Sequence, residues 1–141
     1  MSIVSRIQSI KSGDLLPERQ FKPDNVQLFL YNSALWNAHR IHYDYPYATE
    51  VEGYPGLVIA GPLLGDWLTQ NVVEWLDGDG RLESIEYSNR MASYIGEVLR
   101  SGGKVVSVDQ ESATIELEMY IKNEADEVIT PGAAVVRFSE S

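Results

Sequence analysis

Cysteine is absent from this 141-residue chain, and histidine occurs only twice. Without cysteine the chain can form no disulfide, no thiolate metal site and no cysteine nucleophile. The chain also lacks any apolar run near the roughly 20 residues that a membrane-spanning helix needs. Its first residues, MSIVSRIQSIKSGD, contain no continuous apolar stretch of the kind that a secretory signal has. We therefore expect a cytoplasmic protein that does not associate with a membrane.

Basic residues are few: 11 Lys and Arg stand against 21 Asp and Glu, for a formal net charge of −10. A surface of this sign repels a phosphate backbone, which argues against nucleic acid as a partner. With 44% hydrophobic residues and no repeat or long linker, the chain has the size and composition of one domain. We predict that residues 1–141 form that single domain.

Hydrophobic residues at helical spacing predict two helices. Residues 24–36 follow Pro23, with Asp24 as the candidate N-cap, and their apolar positions fall near one face. Residues 62–76 form the clearer helix, and its broad apolar stripe predicts burial on most sides. Pro62 suits the first turn of this helix, and the sequence DGDG ends it. The apolar face of the first helix comprises Val26, Phe29, Leu30 and Ala34, and the stripe of the second comprises Leu64, Trp67, Leu68, Val72, Trp75 and Leu76.

In the second half of the chain the hydrophobic period changes from helical to alternating. Residues 112–121 alternate between apolar and polar side chains, which predicts a strand with one buried face. Residues 103–121 indicate a hairpin that turns at DQES, and a further strand is predicted over 132–139. Weaker strand candidates are 81–91 and 94–99. The predicted fold class is therefore α+β, an antiparallel sheet of about five strands packed against one long helix. The predicted buried face of 112–121 comprises Ala113, Ile115, Leu117, Met119 and Ile121.

Both histidines lie in the segment NAHRIHYD, residues 37–44. Three interpretations fit this pairing. The histidines can be ordinary polar residues of the core or surface, or His39, His42 and Asp44 can offer two nitrogens and one oxygen to a metal. Alternatively, a histidine can act as acid and base, since its side chain titrates near neutral pH. Because the chain holds no further His or Cys to complete a metal site, we predict none.

A glycine-rich stretch, EGYPGLVIAGPL, leads over residues 52–63 into the predicted long helix. The free N–H groups and the dipole at the start of a helix stabilise negative charge on a nearby carbonyl oxygen. Gly61 is the candidate for this role. The alternative interpretation is a plain N-cap glycine before Pro62.

The run FLYNSALWNAHRIHYDYPYATEVEGYPGLVIAGPLL, residues 29–64, resembles the MaoC-like dehydratases, a family of hot-dog fold enoyl-thioester hydratases. Within this family the run is most similar to the branch of mesaconyl-CoA hydratase and the mitochondrial type 2 hydroxyacyl-thioester dehydratases. In that branch, phrases of the form FNxHRIHYD and EGYPGLVVHGPL recur. The resemblance implies a single hot-dog domain, in which an antiparallel sheet of about five strands wraps around a long central helix.

The resemblance also implies roles within the histidine segment. When the family motif D-x-N-P-x-H-x-D is laid on the segment, the catalytic histidine falls on His42 and the catalytic aspartate on Asn37. His39 takes the place of the motif's asparagine, and Asp44 takes that of its last aspartate. An amide cannot accept a proton as a carboxylate does, so this departure places the acid–base work on His42. The related branch also carries Asn at the position of Asn37.

By this resemblance the protein hydrates a 2-enoyl thioester, or dehydrates a 3-hydroxyacyl thioester, without a metal or redox cofactor. The Gly61 N–H binds the thioester carbonyl, His42 activates water and returns a proton, and Asn37 holds the water or the thioester. A second departure is Ala60, where the branch often has His. The departures at Asn37 and Ala60 leave open a non-catalytic or partner-dependent acyl-thioester-binding subunit, and a thioesterase on the same hot-dog fold is a further alternative.

Four residues are weaker candidates for substrate binding: His39, Arg40, Asp44 and Tyr54. Arg40 can form an ion pair with a CoA phosphate or a substrate carboxylate, or it is an exposed arginine with no role in binding. Tyr54 belongs to a tyrosine cluster that either packs in the core and an interface or offers a stacking surface. The resemblance further implies a homodimer or larger homo-oligomer, or a heteromer with a second hot-dog subunit. The other tyrosines of the cluster are Tyr43, Tyr45 and Tyr47.

Overall fold

A computed structural model describes residues 3–139, so the first two and last two residues of the predicted domain lie outside the described part of the chain. Its elements are α1 (Ile3–Ser9), β1 (Leu15–Phe21), α2 (Asn25–Ala34), a 3-10 helix (Arg40–His42), a π-helical turn (Tyr47–Val51), α3 (Gly61–Leu76), β2 (Gly80–Tyr87), β3 (Leu99–Asp109), β4 (Thr114–Lys122) and β5 (Val128–Phe138). The strands form one antiparallel sheet in the order β1-β3-β4-β5-β2. The predicted α+β class is confirmed. No helix among residues 3–139 is both long and apolar enough to cross a membrane.

The long helix α3 is the centre of the core. It contacts every strand of the sheet, and most of its apolar stripe is buried. Removing this much apolar surface from water is the main stabilising contribution of the fold. Trp67 stacks on Phe21 of β1, with ring centroids 4.3 Å apart. The predicted burial of the stripe is confirmed for Leu64, Trp67, Leu68, Val72 and Leu76, while Trp75 is only partly buried.

A buried amide ties α3 to the sheet. The Nδ2 of Asn71 donates to the Ser101 carbonyl at 3.0 Å and to the Ser101 hydroxyl at 3.2 Å. It also lies 3.3 Å from the carbonyl oxygen of Pro17. A polar group inside a core must be hydrogen-bonded to avoid a large desolvation cost, and these contacts set the position of α3 against β1 and β3.

The predicted hairpin is present as β3 and β4, joined by a turn over residues 110–113. The apolar face of β4 is buried as its alternation predicts. Ala113 departs from that prediction because it lies in the turn with φ of 58°, before the strand begins. The buried residues of β4 are Ile115, Leu117, Met119 and Ile121.

One strand prediction was wrong and one strand was missed. Residues 94–98 form a loop, in which a single bridge pairs Tyr94 with Val58, and β3 begins only at Leu99. The fifth strand is instead β1, which lies at one edge of the sheet. Its alternation is weak because the register shifts between Leu16 and Arg19, around Pro17, a residue that cannot donate to a strand ladder.

The helix α2 begins at the predicted N-cap, since Asp24 Oδ1 accepts from the N–H of Gln27 at 2.8 Å. Its predicted inner face was wrong. The residues that α2 buries are Leu28 and Asn32, four positions apart on one face. The Nδ2 of Asn32 donates to the Leu28 carbonyl at 2.8 Å, while its buried Oδ1 has no hydrogen-bond partner among residues 3–139. The apolar residues that face outward are Val26, Phe29 and Leu30, which are 59%, 54% and 60% exposed.

Candidate active site

The histidine segment folds into a short 3-10 helix that is fastened to the chain just before α3. His39 caps this helix, with its Nδ1 accepting from the N–H of Ile41 at 3.3 Å. The Val58 N–H donates to the Ile41 carbonyl at 3.0 Å. His42 Nδ1 in turn lies 2.7 Å from the Val58 carbonyl oxygen. These two bonds hold His42, only 7% exposed, against Val58, which precedes Gly61 by three residues in the sequence.

The partner of His42 determines which of its ring nitrogens carries the proton. A carbonyl oxygen only accepts hydrogen bonds, so Nδ1 is the donor and the neutral ring leaves a lone pair on Nε2. Burial lowers the pKa of His42 below its ordinary value of 6.5, and the nearby His39 lowers this pKa further, while the bond to Val58 opposes both. The centroids of the two histidine rings are 5.7 Å apart. At neutral pH the Nε2 of His42 is therefore able to accept a proton.

Gly61 is the first residue of α3, and Ala60 takes the N-cap position that the sequence suggested for the glycine. Pro62 has no N–H, and the N–H of Leu63 bonds to the Ala60 carbonyl at 3.0 Å. Within residues 3–139 the Gly61 N–H has no acceptor. This N–H is a free donor at the positive end of the dipole of a 16-residue helix. It lies three residues after Val58, whose carbonyl oxygen bonds to His42.

A residue that the sequence analysis missed lies against Gly61. If Gly61 carried a Cβ, that atom would collide with the Nδ2 of Asn89 and would lie 3.2 Å from its Cγ. The Oδ1 of Asn89 accepts from the hydroxyl of Thr130 at 3.0 Å. Asn89 follows β2, far from the histidine segment in sequence, and no motif in the chain connects the two. Only the packing of the β2 end against the start of α3 brings them together.

Asn37 is half-buried and shapes the turn before the 3-10 helix. Its Oδ1 accepts from the N–H of His39 at 3.2 Å, and its own N–H donates to the Asn32 carbonyl at 2.8 Å. Its Nδ2 has no hydrogen-bond partner in the described part of the chain, and the residue makes no hydrogen bond to His42. Asn37 also borders a cavity of about 240 Å³, whose other lining residues are Phe29, Asn32, Ser33, Trp36, Ala38 and Tyr43.

Arg40 and Asp44 bind each other across one helical turn. The Nε and Nη2 of Arg40 lie 3.0 and 2.8 Å from Asp44 Oδ2, and the Arg40 guanidinium packs 4.1 Å from the ring centroid of Tyr47. The hydrogen bond from Arg40 lowers the pKa of Asp44, so this carboxylate is ionised. Its other oxygen accepts from the Tyr47 N–H at 3.1 Å.

Among residues 3–139 no three His, Asp or Glu side chains are grouped closely enough to hold a metal ion.

The tyrosines around the segment make local contacts. Tyr54 is half-buried, and its ring centroid lies 6.2 Å from that of Tyr94. The hydroxyl of Tyr47 donates to Glu52 at 2.8 Å, and that of Tyr43 lies 3.3 Å from the Ala38 carbonyl oxygen. Tyr45 is exposed. The four tyrosines of the cluster thus do not form one continuous stacking surface.

Comparison with protein families matches residues 5–95 to the family described as "Hydroxyacyl-thioester dehydratase type 2". A similar curated protein is mesaconyl-C(4)-CoA hydratase of Chloroflexus aurantiacus, 56% identical over 46 residues. The matched segment covers 33% of this chain and 16% of that protein, so it spans about a sixth of the relative's length.

The solved structures that share the fold include a MaoC-like dehydratase and a chain of a two-protein complex. A MaoC-like dehydratase superimposes with a TM-score of 0.86 and 22% identity, covering 94% of this chain and 42% of that one. A chain of the ChsH1-ChsH2 complex from Mycobacterium tuberculosis superimposes with a TM-score of 0.81 and 15% identity, covering 92% and 98%. The resemblance to the MaoC-like dehydratases and the hot-dog fold inferred from it are confirmed.

Proposed function

Because this chain belongs to the hydroxyacyl-thioester dehydratase type 2 family, we propose that it catalyses the reversible hydration of a 2-enoyl thioester to a 3-hydroxyacyl thioester. The observation that carries the proposal is that a buried His42 is anchored through Nδ1 to Val58, three residues before the free Gly61 N–H at the start of α3. His42 is a base that is neutral at physiological pH, and the Gly61 N–H is a hydrogen-bond donor for a carbonyl oxygen. The acyl carrier is CoA or an acyl carrier protein.

The proposed reaction uses His42 in both proton transfers. Its Nε2 takes a proton from water while the water oxygen bonds to C3 of the enoyl group. The electrons of the C2–C3 double bond move onto the thioester oxygen, and the Gly61 N–H stabilises the resulting enolate. The His42 imidazolium then gives its proton to C2, which restores the carbonyl. The two transfers add one water molecule across the double bond, and the proposed chemistry uses no metal or redox cofactor.

The remaining site residues have proposed roles in positioning. Asn37 orients the water or the thioester through its Nδ2, which has no protein partner among the described residues. His39, Arg40, Asp44 and Tyr54 are the residues that we propose to bind the carrier or substrate. For Arg40 to reach a phosphate or carboxylate of the substrate, its guanidinium must exchange part of its contact with Asp44.

We also propose that two hot-dog units assemble, either as a homodimer or with a second, separately encoded hot-dog subunit. In the described part of the chain β2 pairs only with β5, so its other edge has unpaired backbone groups. An unpaired edge of eight residues favours pairing with another strand. The partner would also cover Tyr87, a large exposed side chain at the end of β2.

The pH dependence of turnover follows from the environment of His42. Its folded-state pKa is lowered by burial, so we expect the acid limb of kcat/KM to have its midpoint below 6.5. Protonation of His42 also destabilises the fold: the free energy of unfolding should be highest above pH 6.5 and fall as the pH drops towards the folded-state pKa. The measurement is kcat/KM against pH for the native protein and for His39→Gln.

The His39→Gln variant is the matched control, since it removes the only other histidine. Loss of the repulsion from His39 should move the acid midpoint upward, towards 6.5, without abolishing it. A native midpoint above 6.5, or an acid limb that disappears in His39→Gln, contradicts the assignment of His42 as the base.

The direct test of the function is the absorbance of enoyl thioesters mixed with the purified protein. Crotonyl-CoA, longer 2-enoyl-CoAs and mesaconyl-CoA should include at least one substrate, whose enoyl absorbance falls on hydration. Release of free CoA would instead identify a thioesterase. Binding of acyl-CoA without turnover would identify an acyl-thioester-binding subunit that depends on a partner or has no catalytic role.

A further inference from the structure

We propose that the side-chain amide of Asn89 is a second hydrogen-bond donor to the thioester carbonyl oxygen, beside the Gly61 N–H. This inference rests on the proposed function, because both donors act on the same oxygen of an acyl thioester. The observation behind it is the contact between Asn89 and Gly61. The Nδ2 of Asn89 occupies the space where any other residue at position 61 would carry its Cβ.

The backbone on both sides of Asn89 is anchored to β5. The Ser88 N–H donates to the Pro131 carbonyl at 3.0 Å, and the Arg90 N–H donates to the Ile129 carbonyl at 2.9 Å. Because both neighbours are bonded to β5, the backbone of Asn89 is less mobile than that of an ordinary exposed loop residue. The loop therefore keeps its amide over the start of α3.

The side chain is oriented as well as placed. Thr130 is fully buried, and its hydroxyl donates to Asn89 Oδ1 at 3.0 Å. The carbonyl end of the Asn89 amide is thus occupied, and the NH2 end is the part that lies against Gly61. Within residues 3–139 this NH2 group has no acceptor, while Asn89 as a whole is exposed. It is a preoriented donor that remains available to a ligand.

Two adjacent donors suit the chemistry of the proposed reaction. When water adds at C3, negative charge develops on the thioester oxygen, and donors that are already in position stabilise this charge without further reorganisation. An enolate oxygen accepts more than one hydrogen bond, so a backbone N–H and a side-chain N–H can act together. The contact also gives a physical reason for glycine at position 61, since a Cβ there would push the Asn89 amide away.

The kinetic test compares Asn89→Ala and Asn89→Asp with Ser88→Ala, an exposed neighbour that is anchored through its backbone. With an enoyl-CoA that the native protein hydrates, Asn89→Ala should lower kcat by about 10- to 10²-fold and leave KM within about twofold. Asn89→Asp should lower kcat at least as far, because its carboxylate has no N–H and repels the oxyanion. Ser88→Ala should match the native protein. A kcat for Asn89→Ala within about twofold of the native value overturns the proposal. A loss of kcat that is fully explained by a lower melting temperature of the variant also overturns it.

A second measurement separates this proposal from the proposed function. Butyryl-CoA with a ¹³C-labelled carbonyl cannot be hydrated, and the infrared stretch of its carbonyl reports hydrogen bonds to the oxygen. We expect the native protein to shift this stretch to lower frequency and Asn89→Ala to reverse part of the shift. The proposal stands on that result even if the native protein hydrates no enoyl-CoA, which would contradict the proposed function alone. An equal shift in the two proteins, or none in the native protein, overturns the proposal.

Discussion

Replacing His42 with Gln should lower kcat for enoyl-thioester hydration by at least about 10²-fold, the weight of a general acid and base. The Gln side chain fills most of the volume of the native ring, and its amide takes the place of the reacting Nε2 rather than of the Nδ1 that bonds to Val58. It cannot accept the proton of water, because an amide nitrogen carries no available lone pair. The same variant should lose hydration and dehydration equally, since one group serves both directions.

The measurement is the steady-state rate with the best substrate of the enoyl-CoA panel, with thermal unfolding recorded in parallel. His42→Ala is the companion variant, and it leaves a buried space where the ring was. Equal losses in the Gln and Ala variants indicate lost proton transfer, since only the Ala variant also loses packing. Full turnover by either variant would refute the role of His42.

Replacing Gly61 with Ala should lower kcat by about 10²- to 10³-fold, the cost of losing an oxyanion donor. The added methyl group collides with the Asn89 amide and must displace it or shift the start of α3. Either movement misplaces the Gly61 N–H relative to the substrate carbonyl. Gly56→Ala is the matched control, since a Cβ at Gly56 meets no atom within 4 Å and its φ is not positive. We expect Gly56→Ala to turn over at the native rate.

The double variant Gly61→Ala with Asn89→Ala distinguishes the steric effect of the added methyl group from the loss of a hydrogen-bond donor. Truncating Asn89 removes the side chain that the new methyl group would strike, so the melting temperature should recover relative to Gly61→Ala alone. Turnover should stay low, because the preoriented amide is absent. A Gly61→Ala variant with native kcat would show that the start of α3 can accept a side chain without harm to the reaction.

The strongest elements were predictable from the sequence. The apolar stripe of α3 and the alternation of β4 both depend on spacing along one segment, which a linear pattern contains. The inner face of α2 was not predictable in this way. Its exposed Phe29 and buried Asn32 reverse the usual preference, and of the Asn32 amide only Nδ2 finds a partner, the Leu28 carbonyl, while Oδ1 has none among residues 3–139.

The edge strand β1 was missed for a similar reason. Pro17 and the register shift beside it interrupt the alternation that identifies a strand, and only pairing with β3 makes the segment extended. The wrong candidate at 94–99 has strand-like composition but is held as a loop by bonds to the segment before α3. Of these, the Ile95 N–H donates to the Leu57 carbonyl at 3.2 Å.

The sequence by itself determined the family, the long apolar helix and the two residues on which the proposed reaction rests, His42 and Gly61. Each of these follows from residue identity and spacing within a continuous run. Tertiary structure alone decided that the Val58 carbonyl selects the His42 tautomer, that Arg40 binds Asp44, and that Asn89 lies over Gly61. Most of these contacts join segments from different parts of the chain, and even the close pair needs a helical turn to form. Contacts of this kind leave no period or motif in the sequence, because the geometry that creates them exists only once the chain has packed.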